Sequence, residues 1–445
     1  MLGALGGKHV IVAGAGLAGL SAARELERRG ATVTLVEARA RVGGRVWTLR
    51  DGFAAGQHAE AGADLIEGEQ THLRRLARDL GLKTVRILRD SFGFYGPDAK
   101  GRRRIHAMSG GLAMVGARIG GLVGDFKLAE QRWDSAIAAR LARRSVAEWL
   151  DGIHAPLEMK AALRGFRGFF LADPEDLSLI ALVEQFASDG TPGRGEILRI
   201  RDGNDRLPAE VVRRLRGRVL MRTVLRRIRQ TERSVTASIE DDSGRVTEID
   251  GDAIVVAIPA STARHVVFEP SLPEPQQSAI ARLRYGPATR LLLQFERRFW
   301  KKRGRPLAFG TDLPIGALWD GNEQQARTPG ILTFLAGGNA SRETRQVLAA
   351  EGEAGIVRRL TWLGRPSTLL ASKTIVWDDD PWVGGGYAYF DPGFDPLCRA
   401  WLARPAGRIV FAGEHTSVRW QGYMNGAIES GLRAAAEADA LVASQ

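Results

Sequence analysis

A chain of 445 residues exceeds one ordinary core, so two domains are expected, and 44% hydrophobic with 26% charged residues is an ordinary globular composition. The 63 Lys plus Arg against 51 Asp plus Glu leave a formal charge of +12, an excess that attracts anions. The basic residues are spread through stretches such as RRLARDLGL and RLPAEVVRRLRGR without one dense tract or interleaved aromatics, so nucleic-acid binding is not expected. The lone Cys398 excludes an intramolecular disulfide, and seven scattered histidines give neither metal spacing nor a convincing nucleophile–base pair.

The N-terminal stretch MLGALGGKHVIVAGAGLAGLSAA is apolar enough for a signal peptide, but it has no basic segment in front and is broken by glycines. No other run approaches spanning length, so neither export nor a membrane partner is expected, and the chain is read as cytoplasmic. Residues 8–37 then read as strand (HVIVA), Gly-rich turn (GAGLAG), helix (LSAARELERRG) and strand (TVTLVE). Residues 203–258 open with an amphipathic helix carrying Leu207, Val211, Val212 and Leu215. A β-rich run with a turn at Asp242–Gly244 follows, then a short buried strand, AIVVAIP, stopped by Pro259. A third buried strand, RIVFAGE, hands over to a helix beginning near Gly422. The intervening segments are irregular and hold most of the tryptophans and prolines. One α/β domain is therefore expected from residues 1–75, 203–268 and 405–445, with a second domain from 76–202 and 269–404.

The glycines Gly14, Gly16 and Gly19 match G-x-G-x-x-G between a predicted strand and a predicted helix. Gly14 permits the tight turn, Gly16 lets a pyrophosphate approach the backbone, and Gly19 lets helix and strand pack closely. The helix N-terminus would face the phosphates with unpaired N–H groups. Glu37 ends the second strand about 20 residues on, where a carboxylate accepts from ribose hydroxyls.

The continuation EARARVGGRVWT, with Arg39, Gly43, Gly44 and Arg45, resembles the second phosphate-contacting loop of the flavin-containing amine oxidase family. AEAGADLIEG, GNDRLPAEVVRRL, RTVLRRI, YGPATRLLLQFERRFW, GGGYAYFDPG and FAGEHTSVRWQGYMNGAIESG extend the resemblance in order along nearly the whole chain, loosely between about 85 and 200. It implies a Rossmann-like FAD-binding domain assembled from three chain segments, with an α+β substrate domain whose sheet is mostly antiparallel. Gly62 and Ala63 would lie on the strand that passes the flavin, and Val224 would meet the adenine through its backbone. Gly413, Glu414, Gly422 and the N–H near Met424 would meet the cofactor at the start of the last helix. Tyr387 and Tyr423 would form paired rings before the flavin face, with Trp420 on the same wall. The reaction implied is hydride transfer from an amine α C–H to flavin N5, then imine hydrolysis, with O2 or another electron acceptor. A homodimer is a further expectation.

Two departures matter. Covalent members carry a cysteine just before the first ring tyrosine, where this chain has Gly386, so FAD is expected to be held non-covalently. The family's lysine near N5 is replaced by Arg290, which is either a simple exchange of cations or a group that cannot release a proton. Glu184 reads better as an exposed helix glutamate than as a ligand for a second amino group. Two other functions stay open: a related flavoprotein acting on a C–C or cyclic C–N bond, against which the paired tyrosines argue, and an FAD-stabilised binding protein using its basic surface.

Overall fold

The computed structural model describes residues 5–89, 92–187 and 195–443, the side chains of 108–113 excepted. The first four residues of the apolar N-terminal stretch lie outside it. Five short strands form one parallel sheet in the order 218–220, 32–36, 9–13, 253–256, 409–411. Val10–Ala13 and Ala253–Val256 are buried throughout, as strands must be when elements cover both faces of a parallel sheet. The expected three separate pieces of chain thus meet in one sheet. On one face the first helix (Leu17–Arg28) crosses the last (Met424–Ala443) so closely that a Cβ on Gly431 would stand 2.2 Å from the Ala18 carbonyl. That crossing brings the C-terminal motif beside the Gly-rich turn.

A four-stranded sheet is attached, with strands Thr223–Gln230, Val235–Asp241, Val246–Gly251 and Val267–Glu269. Its turn forms where expected: Asp241 Oδ1 accepts from the N–H of Ser243 and of Arg245, while Gly244 takes the left-handed conformation. The helix Arg206–Arg214 buries Leu207 and Val211, with Val212 and Leu215 half-buried alongside.

The rest of the chain supplies a seven-stranded sheet. It is antiparallel except where Phe92–Pro97 runs alongside Ala308–Thr311, and it contains the wholly buried strand Ala288–Phe295. Helices between 136 and 187 close the other side. A three-stranded sheet pairs Ile66–Glu67 and Thr84–Ile87 with Ile197–Ile200, fixing Glu67 and Arg199 to the same small platform.

Candidate active site

One continuous cavity of about 580 Å³ runs from the Gly-rich turn to the helical layer. At the turn Gly14 has φ +103°, and a Cβ on Gly19 would fall 1.8 Å from the Gly14 carbonyl, so no larger residue fits there. A Cβ on Gly16 would meet nothing within 4 Å, leaving open space over the backbone. The first helix has no side-chain cap and no acidic residue in its first turn, so its leading N–H groups and positive dipole end are left for a ligand. Glu37 is buried at the cavity edge, accepting from the N–H of Ala15 (2.8 Å) and of Arg39 (2.8 Å), so its carboxylate also ties the turn to the second strand. Arg39, Gly44, Arg45, Gly62, Ala63 and Val224 line the same end. Gly19 does not, consistent with a packing role.

At the last helix, Gly413, Glu414, Gly422 and Met424 all line the cavity. The Glu414 carboxylate pairs with Arg45 (2.8 Å) and accepts from the N–H of Gly422 (2.9 Å) and of Ala388 (3.3 Å). Burial opposes its charge, but the Arg45 guanidinium and these donors hold it below the usual carboxylate range. Glu414 is thereby a clamp that fixes Arg45 and the approach to the last helix.

Tyr387 and Tyr423 stand on the cavity wall, and a Cβ on Gly422 would lie 3.2 Å from the Tyr387 ring, so the glycine lets the chain carrying Tyr423 pass close to its partner. Both hydroxyls are tied down: Tyr387 donates to the Phe169 carbonyl, and Tyr423 is hydrogen-bonded to Glu67 and Gln185. Burial pushes both phenols up, so they stay neutral. Trp420 corrects the expectation that it shares this wall: it is not among the cavity-lining residues, and packs edge-on behind Tyr423 (5.6 Å) under the Arg419 guanidinium. Arg419 and the consecutive residues Gln421, Gly422, Tyr423 and Met424 line the cavity, and Trp420 alone in this turn does not.

Arg290 lines the cavity and is buried. Its Nε donates to the Glu60 carbonyl and its Nη2 to the Gly62 carbonyl, while its guanidinium lies 4.8 Å over the Trp319 ring. Its Nη1 has no partner among the described residues.

Several wall residues escaped the sequence reading. Glu67 lies in the stretch AEAGADLIEG already singled out, but its role depends on the fold: burial, then Glu69, push its carboxyl up to about 7. Phe166, Phe169 and Phe170 supply the apolar end from a segment where the family resemblance is loose. Glu184 is no exposed glutamate: it lines the cavity and accepts from Trp133 Nε1 at 2.9 Å, and burial raises its pKa. Cys398 sits in a short turn, Pro396–Cys398, and does not line the cavity. At Gly386 a Cβ would fall 2.3 Å from Leu171, so the backbone there is closely covered. Open space above Gly16, uncapped helix N–H groups and the orphaned Arg290 donor together fit an extended ligand with phosphates at one end and a hydrogen-bond acceptor at the other.

The family model described as flavin containing amine oxidoreductase matches residues 17–438. Among known proteins, the chain is 25% identical over 458 residues to amine oxidase [flavin-containing] A of Sus scrofa, covering 96% of this chain and 84% of that protein. Among solved structures it resembles cyclohexylamine oxidase from Brevibacterium oxydans IH-35A, with a TM-score of 0.84, 25% identity, and coverage of 97% of this chain and 99% of that one. It also shares the fold of wild-type putrescine oxidase bound to putrescine, with a TM-score of 0.81, 21% identity, and coverage of 97% and 98%.

Proposed function

This chain belongs to the flavin-containing amine oxidoreductase family and is an FAD-dependent oxidoreductase; from that premise we propose that it oxidises a small-molecule amine between Tyr387 and Tyr423. The observation that carries this reading is the pair of neutral tyrosine rings on one cavity wall, each anchored through its hydroxyl. FAD, when bound, supplies the acceptor at N5 for the hydride of the amine's α C–H, leaving an imine that water hydrolyses, with O2 or another acceptor taking the electrons onward.

Gly14, Gly16 and the first helix would hold the pyrophosphate, Glu37 a ribose, and the Val224 backbone the adenine. Arg39, Gly44 and Arg45 would follow the phosphates and sugar chain. Gly62, Ala63 and Gly413 would flank the ring system, Glu414 would meet the ribityl or phosphate region, and the last helix would direct its positive end, at Met424, to the ring's electron-rich edge. With no thiol at Gly386, the cofactor is held non-covalently. Residues 1–75, 203–268 and 405–445 form the cofactor half in this reading, and 76–202 with 269–404 the substrate half.

The remaining task is orientation. Apolar walls at Phe166, Phe169 and Phe170 exclude water and favour the neutral amine, and the tyrosine faces align its nitrogen. The carboxyls of Glu67 and Glu184 add acceptors for N–H groups in the same space. A panel of amines mixed anaerobically with the purified yellow protein tests this: at least one bleaches the flavin, and a panel in which none does sinks the reading.

A further inference from the structure

Asp64 lies between two guanidinium groups and an indole in the wall of the cavity. Its Oδ1 accepts from Arg199 Nε at 2.6 Å and its Oδ2 from Trp319 Nε1 at 2.7 Å, while Arg290 Nη2 stands 3.8 Å from Oδ2. All four residues are at least 95% buried, between 1% and 5% exposed, so these charges meet with little solvent screening. Arg290 is held on three sides: by the Glu60 and Gly62 carbonyls, by the Trp319 ring face, and by the Asp64 carboxylate. The Arg290 nitrogen left over, Nη1, has no partner among the described residues. Arg199 does not line the cavity and spends its Nη1 on Gln324, so it serves Asp64 from behind. Glu60, the second carboxyl nearby, is taken up by Thr48 and the Asn204 N–H.

We propose that Asp64 is a positioning residue for the Arg290 cation: by holding Trp319 and Arg199 and opposing Arg290 directly, it fixes the guanidinium so that Nη1 meets the reactive edge of the flavin, and so sets the flavin's affinity for electrons. A charge held at one distance stabilises negative charge there more than one that moves. The inference rests on the assignment of this cavity to FAD, but not on the substrate being an amine.

The test is a double-mutant cycle in midpoint potential on the holoprotein, by equilibration with redox dyes, for the parent, Asp64→Asn, Arg290→Met and the double variant. FAD content and thermal denaturation accompany each. Arg290→Met lowers the parent potential by about 30 mV, a tenfold loss of preference for the reduced state in a two-electron couple. In the Asp64→Asn background the same change moves the potential less than half as far, because the guanidinium is no longer held in place. Equal shifts in both backgrounds overturn the proposal, as does a parent potential unmoved by Arg290→Met. If Asp64→Asn does not fold, Trp319→Phe takes its place: the ring face stays, the N–H to Asp64 goes, and the same inequality is expected. Loss of FAD from both substitutes also counts against it, since a positioning role does not require them for retention. Dye equilibration uses no amine, so a protein that no amine reduces would fail the amine reading while the potentials still decide the role of Asp64.

Discussion

The two ends of the cavity are built by different means. At the Gly-rich turn the surface offered to a ligand is backbone: an open approach over Gly16, uncapped N–H groups of the first helix, and a carboxylate at Glu37 already bonded to the turn. At the tyrosine end it is side chain, with rings and charges delivered from four distant stretches: Tyr387, Tyr423, Phe169 and Arg290. A backbone site depends on steric room at single positions. A side-chain site depends on each group being held by another, as Phe169 holds Tyr387, Glu67 holds Tyr423 and Trp319 carries Arg290. The first should therefore fail through sterics and the second through lost orientation.

The largest effect is expected at the turn itself. Gly19→Val forces a side chain into the Gly14 carbonyl and should destabilise the protein by about 3 kcal/mol or more, with loss of bound FAD, read by thermal denaturation and flavin absorbance. Gly16→Val meets open space, so its melting temperature as apoprotein should match the parent while FAD retention falls; equal retention would remove the backbone site from the cofactor assignment. At the other end, Tyr387→Ala and Tyr423→Ala should keep FAD and slow anaerobic reduction by amines about tenfold or more, a cost of about 1.4 kcal/mol or above. Parent rates with every amine that works would mean the rings are not the orienting elements.

Arg290→Lys should hasten, and Arg290→Met slow, reoxidation by O2 in stopped flow by a few-fold, because a guanidinium supplies charge but cannot release a proton. Indistinguishable rates would make Arg290 a structural cation. The smallest effect concerns pH. Below about 7 Glu67 carries a proton and is neutral beside Tyr423, and above it is an anion, so a cationic amine should bind more tightly as pH rises through that value. Glu67→Gln should flatten that step in the pH profile of amine affinity, leaving affinity at low pH nearly unchanged.

Much of the first end was legible from sequence because its requirement is local. Gly14, Gly16 and Gly19 must be spaced as they are for one turn, and the apolar runs flanking them read as strands whichever neighbour they pair with. The C-terminal motif could be tied to that turn through its family resemblance. The close helix crossing at Gly431 that makes the union physical is a tertiary fact. Trp420 shows the limit: two rings three residues apart both read as wall, and only the turn before the last helix put Tyr423 inside and Trp420 behind it.

The sequence by itself pointed to the Gly-rich turn and to three buried strands from separate pieces of chain, since period and glycine spacing are written along it, whereas Tyr387 and Tyr423 were singled out through the family resemblance. Beyond Glu37 and Glu414, which the sequence had singled out, only the tertiary structure showed which carboxylates face the cavity and what each one meets. Glu67 and Glu184 entered the cavity, Glu414 became the partner of Arg45, and Asp64 met Arg199 from 135 residues away, because a buried charge acquires its role from what is packed against it, and that is not a property of its neighbours in sequence.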